Sequence, residues 1–105
     1  MGGDFLEALV TFLPSDAGGL QIPIAPREGS YRPFLRSSAE PIRIRFIEGP
    51  PSIAPGQGGR VVVEIESPLT ENSPLLPGAE LDLLEEDRVV GIFTVSRVWR
   101  AALAV

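Results

Sequence analysis

Two groupings of carboxylates in this sequence are capable of acid–base or metal chemistry. Glu85, Glu86 and Asp87 are consecutive, and carboxylates supply the hard oxygen ligands that Ca²⁺ and Mg²⁺ prefer. Glu64 and Glu66 would share one face of a strand, where one could act as general acid and the other as general base. Adjacent side chains diverge, however, and an open strand face gives no apolar pocket to raise one pKa. We therefore expect solvated charge at both groupings.

Three residue types that carry much of side-chain catalysis do not occur in the sequence. The chain contains no cysteine, no histidine and no lysine. Their absence excludes a thiol nucleophile, a Ser-His-Asp triad, an imidazole metal ligand and the lysine of a phosphate-binding loop. The sequence therefore predicts a protein that is not an enzyme and that uses no metal, no cofactor and no nucleotide.

The charge balance is acidic, with nine arginines against 14 aspartates and glutamates and a net charge of −5. Affinity for nucleic acids and for anionic membranes comes largely from basic side chains, so both partners are disfavoured. Residues 1–4 contain no cationic segment, and no apolar stretch approaches the length of about 20 residues that spans a bilayer. We expect a cytoplasmic protein that makes no use of a membrane.

Short alternating segments separated by turn-forming residues run along the whole chain. Glycine and proline number 11 each among 105 residues, and their clusters mark turns. Period-two alternation predicts strands at residues 5–13, 42–47, 61–66 and 79–83. We expect two further strands, a short one at 32–37 and a last one from Val89 through Val95 towards Trp99. Such a series of short strands is typical of an all-β barrel or sandwich, and we expect one domain over residues 1–105.

Two of these strands carry more specific expectations. Direct pairing of the third and fourth strands would place Arg43 near Glu64, as a cross-strand ion pair. The last strand, from Val89 through Val95 towards Trp99, is apolar on both parities. That pattern indicates a strand that is buried on both faces, or buried on one face and covered by a partner on the other.

The order of the turn-forming residues resembles a known family. A first strand ends at a proline, paired glycines follow, and then come a Tyr-Arg-Pro sequence, a Pro-Gly turn and a final hairpin containing Arg-Val-Val-Gly. Over about residues 5–99 this pattern resembles the C-terminal β-barrel domain, domain 3, of bacterial elongation factor Tu. The resemblance implies a six-stranded antiparallel Greek-key barrel. Its matching positions are Gly18, Gly19, Pro23, Tyr31, Arg32, Pro33, Pro55, Gly56, Arg88 and Gly91.

The same resemblance implies partners. In the family this domain helps to hold the acceptor and T arms of aminoacyl-tRNA, and it packs against the nucleotide-binding domain and the exchange factor. Here Leu20-Gln21-Ile22 stands where the family has Arg-His-Thr, and Glu86-Asp87 stands where it has Gly-Gly. Fewer cations and more carboxylates weaken contacts with phosphates, so tRNA is a disfavoured partner.

Large apolar side chains are more numerous than the interior of one small barrel can hide. Besides the last strand they include Phe34-Leu35, Leu75-Leu76, Leu84 and the end of the chain at 101–105. Large contiguous apolar patches rarely stay exposed on soluble monomers, so we expect self-association or a protein partner. The residues predicted to contact it are Leu20, Gln21, Tyr31, Arg32, Phe34, Phe93 and Trp99.

The Tyr31-Arg32 pair also has a structural interpretation, in which the ring covers a barrel end and the guanidinium donates to loop carbonyls. Three hypotheses for function remain open at this point. The first is a non-catalytic binding module that acts through a protein interface, as a homodimer or as a mimic of elongation factor Tu. The second is a translation accessory that retains weak tRNA or ribosome association. The third is a remnant or a split-off domain of a translation factor.

Overall fold

Six antiparallel strands form the body of the molecule. The computed structural model describes residues 4–37, 40–67 and 75–99. Two short 3₁₀ turns, Ser15–Ala17 and Pro26–Glu28, lie in the connection between the first two strands. No helix in the described ranges is long and apolar enough to cross a membrane. The strands are β1 (Asp4–Phe12), β2 (Phe34–Leu35), β3 (Ile42–Glu48), β4 (Gly58–Ile65), β5 (Glu80–Glu85) and β6 (Arg88–Trp99).

The strands close into a barrel in the order β1-β4-β3-β2-β5-β6, with β6 returning to pair with β1. Strands β2, β3 and β4 are neighbours both in sequence and in the sheet. A long connection joins β1 to β2, and β1 lies beside β4. This arrangement is a Greek key. The predicted all-β class and six-stranded Greek-key barrel are confirmed. The predicted strand at residues 32–37 is shorter than expected, because only Phe34–Leu35 pairs as strand on both sides.

Alternate side chains of each strand fill the barrel interior. On β1 every second residue from Leu6 to Phe12 is buried, as the period-two pattern predicted. Loops close the two ends of the barrel. Ile53 is buried at one end, where its backbone forms a bridge with Ile24, and Leu75 is buried at the other. The remaining core residues include Val10, Leu35, Ile44, Phe46, Val61, Val63, Leu83, Val90, Phe93 and Val95.

Strand β6 contains two irregularities that explain its apolar character on both parities. Val90 is an extra residue relative to β5, because Leu83 pairs with Gly91 and Leu84 pairs with Val89. Ser96 is an extra residue relative to β1, because the register passes from Val95 directly to Arg97. Each extra residue exchanges the inward and outward parities of the strand. The first alternative, burial on both faces, is therefore wrong, since one alternating face is buried in each segment. The second alternative, cover by a partner on the other face, stays a prediction.

The ion pair expected between Arg43 and Glu64 was also wrong in its register. Arg45 is the residue opposite Glu64, and Ile47 is an extra residue where β3 bulges against β4. A shift of two residues leaves the same side chains facing inwards, so alternation alone does not distinguish the two registers.

Gly91 allows β6 to approach β1 closely, and this contact generates a test of the fold. A Cβ atom added at Gly91 would lie 2.6 Å from the backbone oxygen of Thr11, so β1 would have to move. We expect Gly91→Ala to lower the free energy of unfolding by about 1–3 kcal/mol, measured by urea titration. Thr94→Ala, at an outward position on the same strand, is the control and should cost much less. Equal stabilities of the wild type and Gly91→Ala would contradict the close approach.

Candidate interaction surface

The seven residues predicted to contact a partner do not come together in the structure. Leu20 and Phe93 are only 4% and 0% exposed and belong to the barrel core, so neither presents its side chain at the surface. Gln21 is exposed in the loop after β1, where its side-chain amide donates to the carbonyls of Ser15 and Gly19. The other four residues lie on or near the barrel wall and are described in turn below.

Tyr31 covers one end of the barrel, as its structural interpretation predicted. Its ring packs edge-on against Phe46, with centroids 5.1 Å apart, and against Phe12 at 6.2 Å. The hydroxyl donates a 2.8 Å hydrogen bond to the carboxylate of Glu85. Burial, and then the hydrogen bond and negative charge of Glu85, raise the pKa of Tyr31 above its ordinary value. The side chain is thus committed to the fold.

Arg32 belongs to an ion-pair network on the outer surface of β2, β3 and β4. Its guanidinium donates two hydrogen bonds to Glu66, at 2.9 and 3.1 Å, and not to loop carbonyls. Arg45 donates to Glu64 at 2.7 Å and lies 3.9 Å from Glu66. The hydrogen bond to Glu64 raises the pKa of the Arg45 guanidinium. Glu64 and Glu66 are therefore engaged by arginines on the neighbouring strands.

Phe34 is half-buried on the same outer wall. The guanidinium of Arg43 lies over its ring, 5.0 Å from the centroid, and Leu84 is its partner in register on β5. Leu84 itself is only 5% exposed. This part of the predicted apolar surface is therefore already covered by the chain's own side chains.

Most arginines of the described residues are likewise engaged. Arg36 and Arg88 pair with Asp82 and Glu85, and Arg27 donates to the carbonyl oxygen of Gly49. Within the described ranges, Arg60 forms no hydrogen bond, ion pair or ring contact. An anionic partner would thus meet few uncommitted cations.

The outer surface of β1 and β6 has a different character. We use the name β1–β6 face for the outward side chains of these two strands, which are Phe5, Glu7, Leu9 and Thr11 from β1 and Ile92, Thr94, Arg97 and Trp99 from β6. Trp99 is 40% exposed and Leu9 is 49% exposed, although both are large and apolar. The Arg97 guanidinium lies over the Trp99 indole, 5.6 Å from the ring centroid. An exposed indole is thus accompanied by a cation that makes no ion pair among the described residues.

Exposed apolar surface is smaller than the sequence suggested, and only part of it is on this face. Leu35 and Leu75 are fully buried, and the apolar end at 101–105 lies outside the described residues. Ile22 and Leu76 are exposed at 72% and 64%, but they lie in loops. Sequence reasoning missed Leu9. Its signal was its position between Glu7 and Thr11 on the outward parity of β1.

A shallow cleft of about 230 Å³ opens beside the β1–β6 face, between β1, β4 and the end of β3. Glu7 and Glu48 supply carboxylates and Arg60 supplies a guanidinium. These mixed charges give the edge of the face a polar border. Among the described residues no group of three or more acidic side chains is placed to hold a metal ion.

Comparison with known proteins supplies no relative, so the functional interpretation rests on the surface of the barrel. Neither a protein-family model nor a curated protein sequence matches this chain. The likeness to the third domain of elongation factor Tu therefore stays a prediction from the residues that carry it.

Tyr31 generates a prediction at alkaline pH, because it is the one tyrosine of a chain without lysine or cysteine. An unfolded tyrosine titrates near pH 10, at about its ordinary pKa, whereas the folded Tyr31 keeps its proton to higher pH. Its contribution to stability is complete below about pH 10 and is lost above it, by up to about 1.4 kcal/mol per pH unit.

Urea unfolding at a series of pH values from about 9 to about 11.5 measures this loss. We expect stability to fall across that range in the wild type and to stay nearly level in Tyr31→Phe. Tyrosinate absorbance in the folded protein should appear only above the ordinary pKa. Parallel stability profiles for the two proteins would contradict the assignment.

Proposed function

We propose that this protein is a cytoplasmic, non-catalytic binding module that acts through a protein–protein interface formed by the β1–β6 face. The observation that carries the proposal is Trp99, a tryptophan with 40% of its surface exposed on the outer wall at the end of β6. Nothing in the barrel core requires that position to be aromatic. Burying apolar surface such as an indole ring is favourable, so a partner that covers the Trp99 ring would gain that free energy on binding.

The composition of the face matches that of known binding surfaces. Tryptophan, tyrosine and arginine contribute much of the binding energy at protein interfaces. Such residues lie near the centre of the interface and are surrounded by a polar rim. Here Trp99 and Arg97 form an aromatic and cationic pair, and Leu9 adds apolar area on the neighbouring strand. Glu7 and Arg60 mark the border on the side of the cleft.

The resemblance to elongation factor Tu supplies the class of partner. A free copy of that factor's third domain would compete with the factor for proteins that contact it, and the exchange factor is one such protein. The closed six-stranded barrel found here is the fold that the resemblance implied, which supports this version of the proposal. A remnant or a split-off domain would use the same kind of surface to contact its sister domains.

Because most arginines are already paired with carboxylates, a protein is favoured over tRNA as the partner. Arg32, Arg36, Arg45 and Arg88 are each paired with a carboxylate, so binding a phosphate would require these ion pairs to be broken. The translation-accessory hypothesis therefore ranks second.

Nuclear magnetic resonance of the indole group tests the protein interface directly. Because the chain has one tryptophan, ¹⁵N-labelled protein has one indole N–H resonance, and that resonance reports on Trp99. We expect it to shift or broaden as the protein is concentrated, or when unlabelled elongation factor Tu or its exchange factor is added. Trp99→Ala has no indole resonance, so its binding is measured by calorimetric titration, and its dissociation constant should be at least about tenfold higher, as for a hot-spot residue.

Ile22→Ala is the matched control, since it removes an exposed apolar side chain from the connection between β1 and β2. It should leave binding unchanged. An indole resonance that does not respond to protein concentration, to elongation factor Tu or to its exchange factor would contradict the proposed face. Equal weakening by both substitutions would contradict the central place of Trp99.

A tRNA titration separates the second hypothesis from the first. At low salt we expect no saturable binding of tRNA, because the chain has a net charge of −5 and its arginines are largely engaged. Fluorescence anisotropy of labelled tRNA is the measurement. Micromolar affinity that falls steeply with added salt would favour the translation-accessory hypothesis instead.

A further inference from the structure

We propose that the end of β6, from Arg97 to Trp99, binds an extended segment of the protein partner, which pairs with it as an additional antiparallel strand. The inference rests on the proposed function, because it states how the partner of the β1–β6 face is held. Three features of β6 support it, namely the point where its pairing with β5 ends, the exposure of its last residues and the side chains that they carry.

Strand β6 continues past the end of its neighbour β5. The first residue of β5, Glu80, is opposite Thr94. Val95 makes the last backbone hydrogen bonds on this side, to residues 78 and 79, where the chain turns. Among the described residues, Arg97–Trp99 pair with β1 alone. We use the name β6 edge for the side of Arg97–Trp99 that faces away from β1.

The exposure of side chains along β6 changes where β5 ends. From Val90 to Val95 every residue is buried or partly buried. Beyond this range Ser96, Arg97 and Trp99 are exposed, and Val98 is partly buried. A residue with a neighbouring strand on one side only keeps more contact with solvent, which accounts for the 40% exposure of Trp99. A strand added at the β6 edge would cover the open side of the indole.

Backbone groups without a partner strand make such an edge a binding site for extended peptides. An edge strand presents a row of N–H donors and C=O acceptors that another chain can continue, and several classes of domain bind their partners in this way. Within the barrel, both neighbours of β6 run antiparallel to it. Antiparallel pairing is also the more stable kind. We therefore expect the partner segment to run antiparallel to β6.

The register of β1 shows which side chains suit a neighbour of these residues. Phe5 is opposite Trp99 and Glu7 is opposite Arg97, so β1 reads apolar, any residue, acidic in its own direction. The Arg97 guanidinium lies over the indole and forms no ion pair among the described residues. On an added strand, an acidic side chain would meet this cation, and an apolar side chain two residues earlier would cover the indole.

A second copy of this chain is a less favourable occupant of the β6 edge. Antiparallel pairing of two copies about Val98, the middle of the edge, would place the two Arg97 side chains diagonally on one face. Diagonal positions are within reach of long side chains, and like charges there oppose pairing. A partner segment with an acidic residue at this position makes the same charge attractive.

A peptide with the sequence of β1 tests this mode of binding, because β1 already pairs with Arg97–Trp99 on their other side. The probe is a synthetic peptide of residues 4–10 with blocked ends, added to the ¹⁵N-labelled full chain. We expect the amide resonances of Arg97–Trp99 to shift, and those N–H groups that point away from β1 to become protected from hydrogen exchange. Val61 and Val63, which pair with β1 from β4, should not change, because the chain's own β1 stays in place.

Methylation of the peptide's amide nitrogens separates strand pairing from docking of side chains alone. Alternate residues of an antiparallel strand direct their N–H groups to the same neighbour. Two peptides are therefore made, each N-methylated at one of the two alternate sets of positions. We expect one of them to bind at least about tenfold more weakly and the other to bind as the unmodified peptide does. Equal dissociation constants for the two would overturn strand pairing.

Exchange of charge between the edge and the peptide tests the register. Arg97→Glu should raise the dissociation constant of the peptide about fivefold or more, and a peptide carrying Glu7→Arg should restore binding to this variant. Restored binding also shows that the variant is folded. Arg60→Glu makes the same change of charge on β4 and is the matched control, which should leave binding unchanged. Loss of binding without rescue would overturn the register.

The remaining outcomes overturn the inference and separate its failure from that of the proposed function. Edge amides that are already protected in the free monomer show that other residues of the chain occupy the edge. Protection that depends on protein concentration identifies a second copy as the occupant. A peptide that does not bind also overturns the inference.

The Trp99 indole resonance then decides the proposed function. If it responds to elongation factor Tu or to the exchange factor while the edge amides stay unprotected, the proposed function stands with another mode of binding. If it responds to neither protein and not to protein concentration, both proposals fail.

Discussion

Closure of the ring by β6 is the constraint on which the rest of this structure depends. Strand β6 must pair with β5 along one edge and with β1 along the other, and each pairing has its own irregularity, at Val90 and at Ser96. The interior of a six-stranded barrel is narrow, so inward positions must be apolar and closely packed. The two extra residues let one strand satisfy both neighbours while Phe93 and Val95 still point inwards.

Closure of the barrel also determines which outward side chains are paired within the chain and which are exposed to a partner. Around β2, β3 and β4, Arg32 and Arg45 are paired with Glu64 and Glu66, so ion pairs within the chain stabilise that wall. The wall at the closing seam exposes Leu9 and Trp99, and among the described residues its Glu7 and Arg97 form no ion pair. Because Ser96 shifts the parity, Val98 packs on the core while Trp99 points outwards. The irregularity that permits closure thus also presents the indole.

The sequence was sufficient for the class of fold and for most inward residues, because alternation reports directly on which side of a strand is buried. It was insufficient wherever register mattered. The parity of β3 and β4 is the same whether Arg43 or Arg45 faces Glu64, and only the three-dimensional packing selects Arg45. Of the predicted contact residues, Phe93 was misplaced because a bulged strand looks apolar on both faces. Trp99 was placed at the surface correctly, but its neighbour Phe5 could not be identified without the register of β1 against β6.

The residue types that the chain omits have a consequence for its behaviour in the cell. Histidine and cysteine, the side-chain types whose ordinary pKa values lie closest to neutrality, do not occur in the chain. Burial, and then the hydrogen bond to Glu85, raise the pKa of the single phenol, Tyr31, further from neutrality. An attachment made through the β1–β6 face would therefore change little in strength as the pH varies around neutrality, and ionic strength would be the variable that loosens its charged contacts.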